Sequence, residues 1–137
     1  KTYRPQLAQI PCNSAQSLFA IAALEIMHHG MERLIIRAFN FLVEENFKTK
    51  HTVAEYAELL FKSPKTLSNI FSKMGSKTPL QYIQGRRMLE ARRLLHHSTM
   101  QVKEVAYAVG FDDIQAFSRF FKKQEGISPS EFKEKSK

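Results

Sequence analysis

Cysteine is nearly absent from this chain. Cys12 stands alone among 137 residues, so no internal disulfide can form and the chain suits a reducing compartment, the cytoplasm. No apolar run approaches the roughly 18 residues of a membrane span. The most apolar stretch, Leu18 to Met27, is too short for one and lacks the basic start of a secretion signal. Glycines number only 5, and none form a glycine-rich phosphate loop. The histidine pairs, His28-His29 and His96-His97, are adjacent residues that point to different sides of a helix. With one cysteine and no clustered carboxylates, no metal site and no cofactor are expected. Asp112-Asp113 reads as a helix cap rather than an acid/base dyad, and Cys12 has no neighbouring base to make it a nucleophile. The sequence therefore does not read as an enzyme. Acid is also short. Lys and Arg total 21 against 13 acidic residues, a net charge of +8, most of it carried from residue 51 onward. Such a balance favours a polyanion, nucleic acid ahead of an anionic membrane surface; the plainer alternative is a merely basic soluble protein.

A duplicated pattern fills much of the remainder. Val53-Ala54-Glu55-Tyr56-Ala57 returns as Val102-Lys103-Glu104-Val105-Ala106, and Leu67-Ser68-Asn69-Ile70-Phe71 returns as Phe117-Ser118-Arg119-Phe120-Phe121, at a spacing of about 50 residues. Lys73 and Lys123, Pro79 and Pro129, and Tyr82 and Phe132 keep that spacing. Each copy reads as a short helix, a tight turn and a second helix with a polar, partly basic face. This is the arrangement that places a helix in the major groove of DNA.

The helix boundaries are legible. No period-two alternation of useful length occurs, so the fold class is all-α. Residues 1–13, with Pro5 and Pro11, read as extended. Ser14 would cap a helix over about 15–29 ending at Gly30, followed by a second helix from Met31 to Lys48; Gly30 could instead kink one long helix. In the second of these, Leu34, Ile35, Ala38 and Leu42 form an apolar stripe that Phe39, Val43 and Phe47 widen. The first helix has its own apolar surface, from Leu18, Phe19, Ile21, Ala22, Ile26 and Met27; both stripes are either core or, for helix 15–29, a face for a missing domain or a second subunit. Thr52 with Glu55 forms a capping box. Ser63-Pro64, Thr78-Pro79 and Ser128-Pro129 each set a capping hydroxyl before a proline at the first helical position, with Gln81 and Glu131 as box partners for the last two. Gln101 stands where a hydroxyl cap would serve helix 102–109 better. A longer helix, 79–97, joins the copies, with Ile83, Met88, Ala91, Leu94 and Leu95 facing both halves. Gly110 is placed to take positive φ at the turn of the second copy.

The candidate contacts come from the stripes. On a helix over 64–74, Leu67, Ile70, Phe71 and Met74 turn inward, while Lys65, Thr66, Ser68, Asn69, Ser72 and Lys73 turn outward. On one over 113–124, Phe117, Phe120 and Phe121 turn inward, while Ile114, Gln115, Ser118, Arg119, Lys122 and Lys123 turn outward. Arg119 suits guanine O6/N7, Gln115 and Asn69 suit adenine N6/N7, and Ile114 suits a thymine methyl; the lysines suit phosphates. Taken singly, each is equally an ordinary solvated residue. Arg87, on the joining helix, either contacts a phosphate or braces the two halves with a carboxylate.

The run Tyr56-Ala57-Glu58, Ser63-Pro64, Leu67-Ser68, Phe71, Gly75, Tyr82-Ile83, Arg87-Met88, Ala91, Leu94-Leu95, Val105-Ala106, Val109-Gly110-Phe111, Phe117 to Lys123, Gly126, Ser128-Pro129 and Phe132 resembles the DNA-binding domain of the AraC/XylS transcription regulators. The resemblance covers roughly residues 35–135 and is densest from Gly110 to Pro129. Asn69, Gln115-Ala116, Gln101 and Lys133 depart from the family pattern, and Asn69 alters what the first reading helix can recognise. The resemblance implies two helix-turn-helix subdomains bridged by a long helix: a linker and interdomain or dimerisation helix over 1–30, a first unit over 31–78, the joining helix over 79–97 and a second unit over 98–137. It implies sequence-specific binding to double-stranded DNA by a bacterial regulator, an activator, with RNA polymerase as a further partner and a homodimer formed through a missing N-terminal effector domain. The start at Lys1 fits a fragment of a longer chain. Two other readings differ in class. One is a DNA-repair regulator with a methyl-accepting cysteine, but Cys12 lacks the Pro-Cys-His-Arg surroundings of such a site. The other is a helical protein-interaction module.

Overall fold

The computed structural model describes residues 15–75 and 77–136, with side chains from Ala20 onward. Its described residues form seven helices and no strand: α1 Ala15–Asn46, α2 Val53–Leu59, α3 Pro64–Met74, α4 Pro79–His97, α5 Val102–Ala108, α6 Ile114–Glu125 and α7 Pro129–Lys135. Cys12, Pro5, Pro11 and the expected Ser14 cap lie outside the described residues.

Local chemistry explains most helix starts. The Thr52 hydroxyl accepts from Glu55 N at 3.3 Å, and the Glu55 carboxylate accepts from Thr52 N at 3.2 Å. Thr78 and Gln81 repeat this reciprocal pair at 2.9 and 3.2 Å. Ser63 and Ser128 cap α3 and α7 through Thr66 N and Glu131 N, each ahead of a proline. Glu131 departs slightly from the expected box, since its carboxylate accepts from the Ser128 hydroxyl rather than from the Ser128 backbone. The Gln101 side chain does not cap α5, as its amide suggested; the Glu104 carboxylate takes up Gln101 N at 2.9 Å instead.

Gly30 ends no helix. α1 runs through it, and a Cβ there would meet nothing within 4 Å. Of the two readings of Gly30, one long helix is what is observed, in place of two helices that meet there. The cost of one glycine, about 1 kcal/mol relative to alanine, does not break a helix whose C-terminal half is anchored in a core. That anchor is the row Phe39, Val43 and Phe47, all buried.

There are two cores. The first gathers Phe39, Val43, Phe47, Tyr56, Ala57, Leu67, Phe71 and Ile83. The second gathers Met88, Ala91, Leu95, Val105, Ala106, Val109, Phe117 and Phe121. α4 supplies Ile83 to one and Met88, Ala91 and Leu95 to the other, so it is a shared wall. Ala57 and Ala106 are fully buried at matched positions, consistent with small side chains where helices approach closely.

Candidate nucleic-acid interface

α3 and α6 are the second helices of the two repeats, and their strong apolar stripes fix which side faces out. On α3, Leu67, Ile70 and Phe71 are buried and Met74 is half-buried. Lys65, Thr66, Ser68, Asn69, Ser72 and Lys73 are all exposed, as the stripe requires. On α6, Phe117 and Phe121 are buried, while Gln115, Arg119, Lys122 and Lys123 are exposed. Ile114 and Ser118 are half-buried, and so is Phe120, which packs its ring 5.2 Å from Phe111 at the edge of the core. Asp113 caps α6, accepting from Gln115 N at 3.0 Å. Gly126 closes the other end with φ 93°.

The two outward faces differ in what else touches them. α1 runs beside α3, and a cavity of about 430 Å³ between them is lined by His28, Glu32, Lys62, Thr66, Asn69 and Lys73, with apolar neighbours. Glu32 is buried, at 3% exposure. One carboxylate oxygen lies 3.5 Å from Lys73 Nζ and 3.4 Å from His28 Nε2; the other has no hydrogen-bond partner. A buried carboxylate is costly unless paired, so Lys73 serves as its counter-charge, with the His28 ring beside the same oxygen. Lys73 is thus committed in part to the protein. Among the described residues no ion pair engages Lys65, Arg119, Lys122 or Lys123. Sequence reasoning missed Glu32. The available signal was its spacing, seven residues before Phe39 and hence on the same face of α1 as the core row.

Arg87 corrects an expectation. It is 7% exposed, its Nε donates to the Val109 carbonyl at 3.2 Å, and its guanidinium lies 3.9 Å from the centroid of Phe111 and 5.5 Å from that of Phe120. Burial lowers its pKa to about 10. Of the two sequence readings, the brace is made with a carbonyl and two rings rather than with a carboxylate. It braces α4 against the turn of the second unit. Burial likewise raises Tyr56 to about 12, and its hydroxyl donates to the Lys50 carbonyl at 2.8 Å.

That same turn meets the first unit. Gly110 has φ 93°, and a Cβ there would lie 2.2 Å from the Lys48 carbonyl oxygen and 2.5 Å from His51 Nε2. Glycine is needed twice over: for the left-handed conformation, which the sequence foretold, and for contact with the α1–α2 connection, which it did not. Further ties fasten α4 to its neighbours. Arg86 donates twice to Glu44 of α1 at 2.7 and 2.8 Å, and Arg92 donates to Glu125 of α6 at 2.7 Å. Lys133 donates to the Met100 carbonyl, holding α7 to the start of the second unit.

Comparison with known proteins agrees with this picture. A family model described as a helix-turn-helix domain matches residues 56–135. The arabinose operon regulatory protein of Escherichia coli K12 is 32% identical over 109 residues, 80% of this chain and 37% of that protein. The chain spans under two-fifths of the length of the curated relatives it matches. Among solved structures, the C-terminal domain of the response regulator yesN from Fusobacterium nucleatum superposes with a TM-score of 0.65 at 28% identity, covering 76% of this chain and 98% of that one. The DNA-binding domain of the global transcriptional factor AdpA, in complex with a target DNA, gives 0.63 at 28% identity, covering 72% and 88%.

Proposed function

The chain belongs to the AraC/XylS family of transcription regulators, and from that premise we propose that it binds specific double-stranded DNA through α3 and α6, one in each of two successive major grooves. The observation that carries this reading is the duplication: two capped, rigid helices, each with its apolar side buried and its polar side exposed. Arg119 reads a guanine, Gln115 and Asn69 suit adenine, Ile114 offers an apolar edge to a thymine methyl, and Lys65, Lys122 and Lys123 meet phosphates, with Thr66, Ser68, Ser72 and Ser118 adding hydroxyl contacts. Lys73 contributes less, being shared with Glu32.

In the intact protein this domain works in the bacterial cytoplasm, joined to an upstream domain that senses an effector and supports a homodimer, and it acts on transcription through contact with RNA polymerase. The charge of +8 suits the polyanion. Among the described residues no helix is long and apolar enough to cross a membrane.

Footprinting and a salt titration test the reading. Protection should span close to two helical turns, with the reading heads about 34 Å apart. The site should be asymmetric for one chain, and affinity should fall steeply with salt as counterions return to the phosphates. Unchanged affinity between low and physiological salt would point to a partner other than nucleic acid.

A further inference from the structure

α1 has two apolar faces, and the fold uses one of them. Phe39, Val43 and Phe47 enter the first core, with Ile35, Ile36 and Leu42 partly packed against it. A second row runs Leu24, Met27, Met31, Leu34, Ala38, Phe41, in steps that alternate between three and four residues. All six are exposed, and the five large ones range from 57% for Leu34 to 66% for Met27. No charged residue interrupts the row; Glu45, one step beyond Phe41, ends it. Arg33 and Asn40 fall on a different side of the helix, while Arg37 and Glu44 flank the row, each one turn from Phe41.

That spacing is the a/d pattern of a coiled coil. An average step of about 3.5 residues makes the row wind slowly around a helix that turns every 3.6, so it stays in register only with another helix wound against it. A groove on a globular domain demands no such regularity. The row is also complementary to itself, because a patch related by a twofold axis meets its own copy. Five large apolar side chains, each more than half exposed, offer on the order of 500 Å² per chain, so two copies would bury on the order of 1,000 Å² together, the lower bound of a specific interface. Little ordering cost opposes it, since the C-terminal half of α1 is already held in the core.

We propose that this row is a self-association seam, along which two copies of the chain pair α1 against α1 as a two-stranded coiled coil. The seam lies within the DNA-binding segment itself and is separate from any dimer contact made by an upstream domain. It rests on α1 alone and not on the DNA-binding reading. It predicts that two double helix-turn-helix bodies are carried on one twofold axis.

The test is the mass of the 137-residue chain without DNA, by sedimentation velocity at tens of micromolar. The wild-type chain should run as a dimer. Leu34→Glu and Met27→Glu should each halve the mass, while Arg33→Glu should leave the dimer intact. All three should keep the wild-type helical content and a cooperative melt, because none of these side chains is in a core; the two variants that dissociate should melt where dilute wild type melts. A wild-type monomer would overturn the proposal and leave the row to another domain of the intact protein. So would a dimer that survives Leu34→Glu, or a ladder of larger species in place of a dimer. Because no DNA is present, failure here leaves the DNA-binding reading standing, and a chain that dimerises without binding DNA would separate the two in the other direction.

Discussion

Lys73 and Lys123 occupy matched places in the two repeats, near the ends of α3 and α6, yet their ammonium groups meet different surroundings. Lys73 lies 3.5 Å from the buried Glu32 of α1, while no ion pair engages Lys123 among the described residues. α3 is flanked by a 32-residue helix that lines a cavity with Thr66 and Asn69. α6 is held by its own aromatic row and by Arg92 at its C-terminal end, and its outward charges stay open to solvent. A duplicated motif need not be a duplicated contact surface. The same backbone plan serves twice, and what differs is how much of each outward face the rest of the protein has already engaged.

The strongest way to break the comparison is to remove one unit. Phe121→Ala deletes a fully buried ring that packs against Phe117 and Phe132, and should cost about 3–5 kcal/mol of stability. Because the first core shares no side chain with the second, a melting curve followed by amide exchange should show α5–α7 protection lost while Phe39, Tyr56 and Phe71 keep theirs. Uniform loss across both cores would mean that they melt as one.

A finer cut spares the fold. Arg119→Ala should cost about 1–3 kcal/mol of affinity for the specific site, relax discrimination at one or two base pairs and leave the melting temperature nearly unchanged. Wild-type affinity for both specific and random DNA would remove Arg119 from the base-reading set, and an unfolded variant would make it structural.

The smallest expected effect sharpens the contrast directly. Lys123→Ala should weaken binding to all sequences alike and lower the slope of log affinity against log salt by about 1. Lys73→Ala should lower it by less, because part of that charge already balances Glu32. Glu32→Gln should then enlarge the effect of removing Lys73. Equal slopes for the two lysine variants, with no influence of Glu32→Gln, would erase the distinction between the units.

What the sequence made legible was what local chemistry decides. The Thr52-Glu55 and Thr78-Gln81 boxes, the hydroxyl-proline starts of α3, α4 and α7, and the apolar rows that set the outward faces of α3 and α6 depend on residues within a few positions of one another. The features it concealed depend on residues far apart in the chain. Gly30 looks like a stop until Phe39, Val43 and Phe47 are seen to anchor the helix that runs through it. Glu32 looks solvated until α3 closes over it. Arg87 offers no local sign that its partners are the Val109 carbonyl and the rings of Phe111 and Phe120, 22 residues or more further on.

The seating of Gly110 on the Lys48 carbonyl, with Arg87 clamped on Phe111 behind it, leaves little play between the two units. A DNA-reading protein with a stiff frame transfers the work of adjustment to the duplex. Base pairs between the two grooves, which no side chain reaches, then enter the recognition through how readily they bend or twist, at a cost of order 1–6 kcal/mol for a smooth bend over such a site. Flexible pyrimidine–purine steps in that spacer should be favoured and stiff A-tracts disfavoured, so part of the operator is written in the mechanics of DNA that the protein never touches.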